Sequence, residues 1–245
     1  MSRHSDAVSL RPLFFSTRRM SRVLGLIFVL AAAIGWVAAG YDLGEIRALR
    51  AAPAGAEGDA VSVVAHLEAG RRIAFAQLAC ALLVASVFVP WLHQVRANVR
   101  ALGARRLRFG REWTYLAFVI PILNAYRPYQ VMSEVWRGSD PESVDPLGWQ
   151  RLHTSRLVIA WWAPLALWVV FEMAAATALR FAPGIAHVQI AHALAFAGDC
   201  SAAVSASLGY FVVARVAAAQ DAKWVVFSGG ELASPDPGAV RALLA

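Results

Sequence analysis

Glu172, His192 and Asp199 are the ionisable side chains set deepest in apolar sequence. A carboxylate buried in hydrocarbon either takes up a proton or finds a partner, so these three residues are raw material for a proton- or cation-responsive site. The plainer expectation is an interhelical hydrogen bond worth about 1 kcal/mol or less. If the two apolar runs that carry them form a hairpin turning near Ala182, Glu172 and His192 stand level and Asp199 lies deeper, opposite Leu165. A second chemistry-bearing stretch is Trp113–Trp136, WTYLAFVIPILNAYRPYQVMSEVW, with Pro121, Asn124, Arg127 and Pro128 in its middle. If Pro128 opens a short helix, its N-terminus points partial positive charge and free N–H groups outward, with Arg127 beside it. Broken helices of this kind build substrate sites in transporters. The plainer reading is a docking element that seals one face, with Arg127 snorkelling to headgroups.

Other chemistries find less support. A lipid-modifying centre would need His93, Asn98, Asn124 and Glu134 to converge, and only shared depth links them. His93 and His153 lie beyond the ends of apolar runs, while His187 and His192 diverge on one helix, so no pair is placed for haem. Cys80 and Cys200 sit inside apolar runs, with neither a disulfide framework nor zinc spacing. No cofactor or metal is expected. Without a nucleophile–base set or a phosphate loop, the chain leans away from enzymes.

Composition says where such residues must sit. Of 245 residues, 59% are hydrophobic and 16% charged, against nearly half and about a quarter in soluble domains. Mean hydropathy is +0.53 and the net charge is +7, with Lys223 the only lysine. An apolar excess this large places the arginines at a membrane surface with anionic headgroups rather than on nucleic acid. Arg96, Arg100, Arg105, Arg106 and Arg108, in the basic extension His93–Arg111, are the expected headgroup contacts.

About 20 apolar residues cross a hydrocarbon core about 30 Å thick. Four stretches qualify, at about 23–41, 73–92, 157–179 and 185–214. The first follows arginines and ends in small residues, but its core and leader are too long for a typical cleaved signal, so an uncleaved anchor is expected. Were 113–136 also to cross, Arg127 would sit near mid-membrane at about 2.5–3.5 kcal/mol and two prolines would break the hydrogen-bond ladder. Basic residues supply a separate test. With four spans and the N-terminus inside, the cytoplasmic side holds eighteen and the outside holds Arg47, Arg50, Arg71, Arg72 and Arg180; a fifth crossing gives twelve against eleven. The positive-inside rule selects the first split. The expectation is an all-α integral protein of a bacterial inner membrane, a bundle of four transmembrane helices plus a re-entrant or interfacial broken helix at 113–136 on the cytoplasmic side. The re-entrant form is favoured over the flat one. The basic N-terminus, 1–22, and the tail, 220–245, are both cytoplasmic, leaving 23–219 as the membrane domain.

Trp91, Trp113, Trp136, Trp161 and Trp162 fall near the expected cytoplasmic interface, where indole rings concentrate. Small residues recur every fourth place at Ala193, Ala197, Ser201, Ser205 and Gly209, and at Ala31, Gly35 and Ala39. Such stripes let backbones approach closely, within one bundle or in a homo-oligomer or membrane partner.

The region Pro90–Pro141 carries Trp91-Leu92-His93, Arg96, Asn98, Ala101-Leu102-Gly103, Leu107-Arg108-Phe109 and Trp113. It continues through Pro121-Ile122-Leu123-Asn124, Arg127-Pro128-Tyr129-Gln130-Val131-Met132, Glu134-Val135-Trp136 and Ser139. In this order and spacing it resembles the bacterial membrane family of domain of unknown function DUF4328, closely over about fifty residues; beyond these, only hydropathy and Arg215 with Gln220 match. The resemblance implies a multi-pass inner-membrane domain and no catalytic residue. A sensing, scaffolding or partner-binding module is therefore the expected function, with a small transporter or channel as the alternative and a lipid-modifying enzyme third.

Overall fold

The computed structural model describes residues 14–51, 60–110, 112–113, 126–143, 145–181 and 185–228, with side chains of the second helix described from Glu68 onward. The described elements are α1 (Arg18–Ala51), α2 (Ala60–Ala101), α3 (Arg127–Gly138), a single 3-10 turn (Gly148–Arg151), α4 (Arg156–Phe181) and α5 (Ile185–Phe227). Among the described residues there is no strand. Four helices are long and apolar enough to cross a membrane: Arg18–Ala51, Glu68–Ala101, Arg156–Arg180 and Ile185–Phe227. In hydrocarbon every backbone group must be satisfied within its own segment, which is why uninterrupted apolar runs fold as helices.

The helices outrun the apolar windows that the sequence marks. α1 continues to Ala51, and α5, at 43 residues, is about 65 Å long, roughly twice a bilayer core. Positions 220–227, expected to begin a tail, are helical, with Gln220, Asp221 and Lys223 buried. Within the broken segment, residues 114–125 lie outside the described residues, so Pro121, Asn124 and a re-entrant path there have no structural account. The second half does fold as the sequence suggests: α3 begins at Arg127 with proline in its first turn.

α1 and α5 are the inner pair. α2 lies along α1 and α4 along α5, so α2 and α4 expose most of their apolar windows. Small residues let the inner pair close up: a Cβ on Gly35 would stand 3.1 Å from the Ala203 side chain, and one on Gly209 would stand 2.9 Å from the Phe28 ring. Ala39 and Ser205 are likewise buried. These stripe positions are thus filled by the chain's own helices.

The core sits where α1 begins and α2 and α5 end, here the basal end. Trp91, Val95 and Val99 of α2 meet Leu24 of α1, Val131 and Met132 of α3, and Val212 and Val216 of α5 in one buried cluster. Trp91, Trp161 and Trp162, expected in an interfacial belt, belong to this core. Trp91 donates its indole N–H to the Ser21 hydroxyl at 2.8 Å. The turn that ends α2 passes through Gly103, whose φ of +88° is one that L side chains rarely adopt. There the Ala104 N–H reaches back to the Val99 carbonyl, and the Phe227 ring packs where a Cβ would be. α2 and α4 each contain an internal proline, Pro90 and Pro164.

The join between α3 and α2 is close enough to test. A Cβ on Gly138 would come within 2.4 Å of a Val99 methyl, whereas one on Gly40 meets nothing within 4 Å. Gly138→Ala should lower stability by about 1–3 kcal/mol through overpacking, read as a reduced thermal midpoint in detergent. Gly40→Ala should leave the midpoint unchanged or raise it slightly.

Candidate functional site

Polar residues gather at both ends of the bundle, with an apolar groove between. At the basal end, α2 turns Arg96 inward, and this corrects its expected role at headgroups. The side chain is 1% exposed, its Nε donates to the Gly110 carbonyl at 3.2 Å, and a terminal nitrogen lies 3.7 Å from the Glu134 carboxylate. Glu134 also accepts from the backbone N–H groups of Arg108 and Phe109, at 2.8 and 3.4 Å. A charge in the core is tolerable only with such partners, so this pair fixes the loop after α2 onto α3. Arg100, Arg105, Arg106 and Arg108 remain exposed.

A second basal network joins α2, α3, α5 and the residues just before α1. The Asn98 amide donates to the carbonyl of Phe15 and to Gln220, and its oxygen accepts from the Phe15 N–H. Gln220 in turn donates to the Val95 carbonyl and the Ser139 hydroxyl, and Lys223 donates to the Gly138 carbonyl at 2.8 Å. Arg18 pairs with Asp221. Asn98 and Glu134 therefore serve different networks and do not form the convergent set that lipid chemistry would require. Arg127 does not reach outward either. Its guanidinium lies 4.9–5.2 Å from the ring centres of Trp113, Phe109 and Tyr126 and donates to Gln130, a cation held by aromatic faces.

The three deep residues named by the sequence meet others at the distal end. His192 Nδ1 lies 2.8 Å from the Asp42 carboxylate and its ring stands edge-on to Tyr41. Asp199 accepts from the Gln77 amide at 2.6 Å. Glu172 does not sit level with His192: it packs beside Gly198, where a Cβ would stand 3.1 Å from its oxygen. Asp42 and Gln77 are the partners that sequence reasoning missed. The continuation of α1 past Tyr41 was the missing signal, because it turns Asp42 from a loop residue into a helical one buried against α5. Among the described residues, no group of three or more His, Cys, Asp or Glu could hold a metal.

Between these ends lies a cavity of about 500 Å³, walled by α1, α2, α4 and α5. It runs from Gln77 to Val89 along α2, about 18 Å at 1.5 Å per residue. Phe88, Trp161 and Trp162 close its basal end, while Ala81 and Val170, on its α2 and α4 walls, are exposed, so it opens sideways. Gln77, held by Asp199, is its polar corner.

These features define a multi-pass helical membrane protein with a laterally open apolar groove. A model of the family "Domain of unknown function (DUF4328)" matches residues 55–218, well over half of the chain, and the protein belongs to that family. No curated protein and no solved structure matches it.

Two outcomes follow from the pairs. Glu134→Ala leaves the buried Arg96 charge without its partner and should cost about 3–5 kcal/mol, whereas Arg96→Met with Glu134→Gln, which keeps an acceptor for the Arg108 and Phe109 N–H groups, should recover most of that loss; thermal midpoints in detergent check both. At the distal end, a double-mutant cycle of Asp42→Asn and His192→Phe should give a coupling of about 0.6 kcal/mol, and no more than about 1.7, as measured for hydrogen bonds between membrane helices.

Proposed function

We propose that the protein is a non-enzymatic inner-membrane module that holds an apolar chain of a membrane lipid between α2 and α4. The groove carries this reading. Its volume lies within the range of about 300–1,000 Å³ typical of small-molecule sites, its walls are apolar, and it opens on the face that four crossing helices would turn toward lipid tails. The Gln77–Asp199 corner offers hydrogen bonds to the polar end of an amphiphile, and the aromatic floor fixes how deep the chain reaches. Lipid occupancy would make the bundle a sensor or scaffold whose shape follows its bilayer.

The basic residues favour a cytoplasmic basal end, with both termini inside and 113–136 entering and leaving from that side. Arg100, Arg105, Arg106 and Arg108 then face anionic headgroups. The Asp42–His192 and Gln77–Asp199 pairs favour a second reading, a small transporter that moves a cation or proton past the groove's distal end.

Lipids carrying a photoactivatable group in the acyl chain test the first reading. In reconstituted protein they should label peptides containing Phe88 or Trp162, and Ala202→Trp, which fills the groove, should cut that labelling several-fold while the protein stays folded. Unchanged labelling in the filled variant would sink the proposal. Cation or proton flux in proteoliposomes that disappears in Asp199→Asn would move the case to the transporter.

A further inference from the structure

We infer that the basal cleft between α3 and the loop after α2 binds a phosphoryl group. The cleft holds about 180 Å³ and is lined by Arg108, Tyr129, Ser133, Glu134, Arg137 and Thr154. It is separate from the apolar groove and stands or falls without it.

Charge is the first argument. Glu134 is the one carboxylate in the lining, and it is already committed to two backbone N–H groups and to Arg96 behind it. Arg108 and Arg137 are not paired with a carboxylate among the described residues. Each is steadied by an aromatic ring instead, Arg108 at 5.5 Å from the Phe109 centre and Arg137 at 5.4 Å from that of Trp149. Arg96, 1% exposed, has two nitrogens without a hydrogen bond among the described residues. Two guanidinium groups in the wall and a third behind it, against one carboxylate, leave a positive concavity.

Donor placement is the second argument. Tyr129, Ser133 and Arg137 recur at four-residue spacing and so share one face of α3, where the Ser133 hydroxyl is itself spent on the Tyr129 carbonyl at 2.7 Å. Arg137 Nε is occupied by the Ser133 carbonyl, which leaves its two terminal nitrogens to donate. The Gln130 oxygen accepts from Arg127, so its NH2 is the end left to donate. Thr154, just before α4, and Tyr129, on α3, add hydroxyls to the lining. Planar forks and hydroxyls drawn from the loop after α2, from α3 and from the residues before α4 suit an oxyanion with several acceptor oxygens, and guanidinium–phosphate bonds are charge-assisted. The cleft is too small for a whole drug-sized ligand but has room for a phosphoryl group attached to something outside it. That group could be the headgroup of an anionic phospholipid or a soluble phosphate.

Two measurements on the full chain separate these sources. In neutral detergent, inorganic phosphate is titrated while tryptophan emission is followed, since Trp149 stacks on Arg137. In parallel, protein from vesicles of phosphatidylcholine and phosphatidylglycerol is examined by native mass spectrometry for retained phosphatidylglycerol. Saturable phosphate binding assigns a soluble ligand, and retained phosphatidylglycerol without phosphate binding assigns a headgroup. In whichever arm responds, Arg108→Gln and Arg137→Gln should each weaken binding at least about tenfold. The exposed Arg151, outside the cleft, should tolerate Arg151→Gln without loss. Because Arg108 is itself exposed, its variant keeps the test valid if Arg137→Gln fails to fold. Silence in both arms, wild-type binding by Arg108→Gln, or an equal loss in Arg151→Gln would each overturn the site.

Discussion

Polar groups with no access to water must find each other, and at the basal end of this protein that requirement holds the helices together. Asn98, Gln220, Lys223 and the Arg96–Glu134 pair are buried in the same region as the apolar core. Each unmade hydrogen bond there would cost more than a made one contributes, so α2, α3, α5 and the residues just before α1 are fixed relative to one another. Toward the distal end no comparable network spans α2 and α4 among the described residues. The two helices part, and the groove is the space their separation leaves.

The distal polar residues act differently. Asp42 with His192 and Gln77 with Asp199 tie α1 to α5 and α2 to α5, and none of these bonds reaches α4. The open side of the groove is therefore bounded by one helix tethered at both ends and by another anchored mainly through its packing on α5. Two kinds of surface result: an apolar slot among the four long apolar helices and an arginine-lined cleft at the base. They share no lining residue.

Much of the fold was legible in the sequence because membrane helices are written in composition. Twenty apolar residues without charge have few structural options, and a proline after a polar turn marks a helix start, as Pro128 does. Side-chain pairing was less legible, for a physical reason. Asp42 meets His192 across 150 positions and Gln77 meets Asp199 across 122, and neither residue carries a local mark of its partner. Arg96 misled because a guanidinium in a basic run reads as surface, and only the fold brings Glu134 to it. Gln220 and Lys223 lay past the last apolar window, where hydropathy no longer reports burial. The family match names a relationship without a chemistry, so the site rests on geometry alone.

Prolines are distributed unevenly over this bundle. Pro90 and Pro164 lie within α2 and α4, the two outer walls of the groove, while the inner pair α1 and α5 has no proline in its helices. A proline removes one rung of the backbone ladder and wedges its ring against the preceding turn, so it is where a helix bends most cheaply. The backbone ladder therefore runs unbroken through the inner pair and lacks one rung in each flanking helix, so the flanks are the helices that bend at least cost.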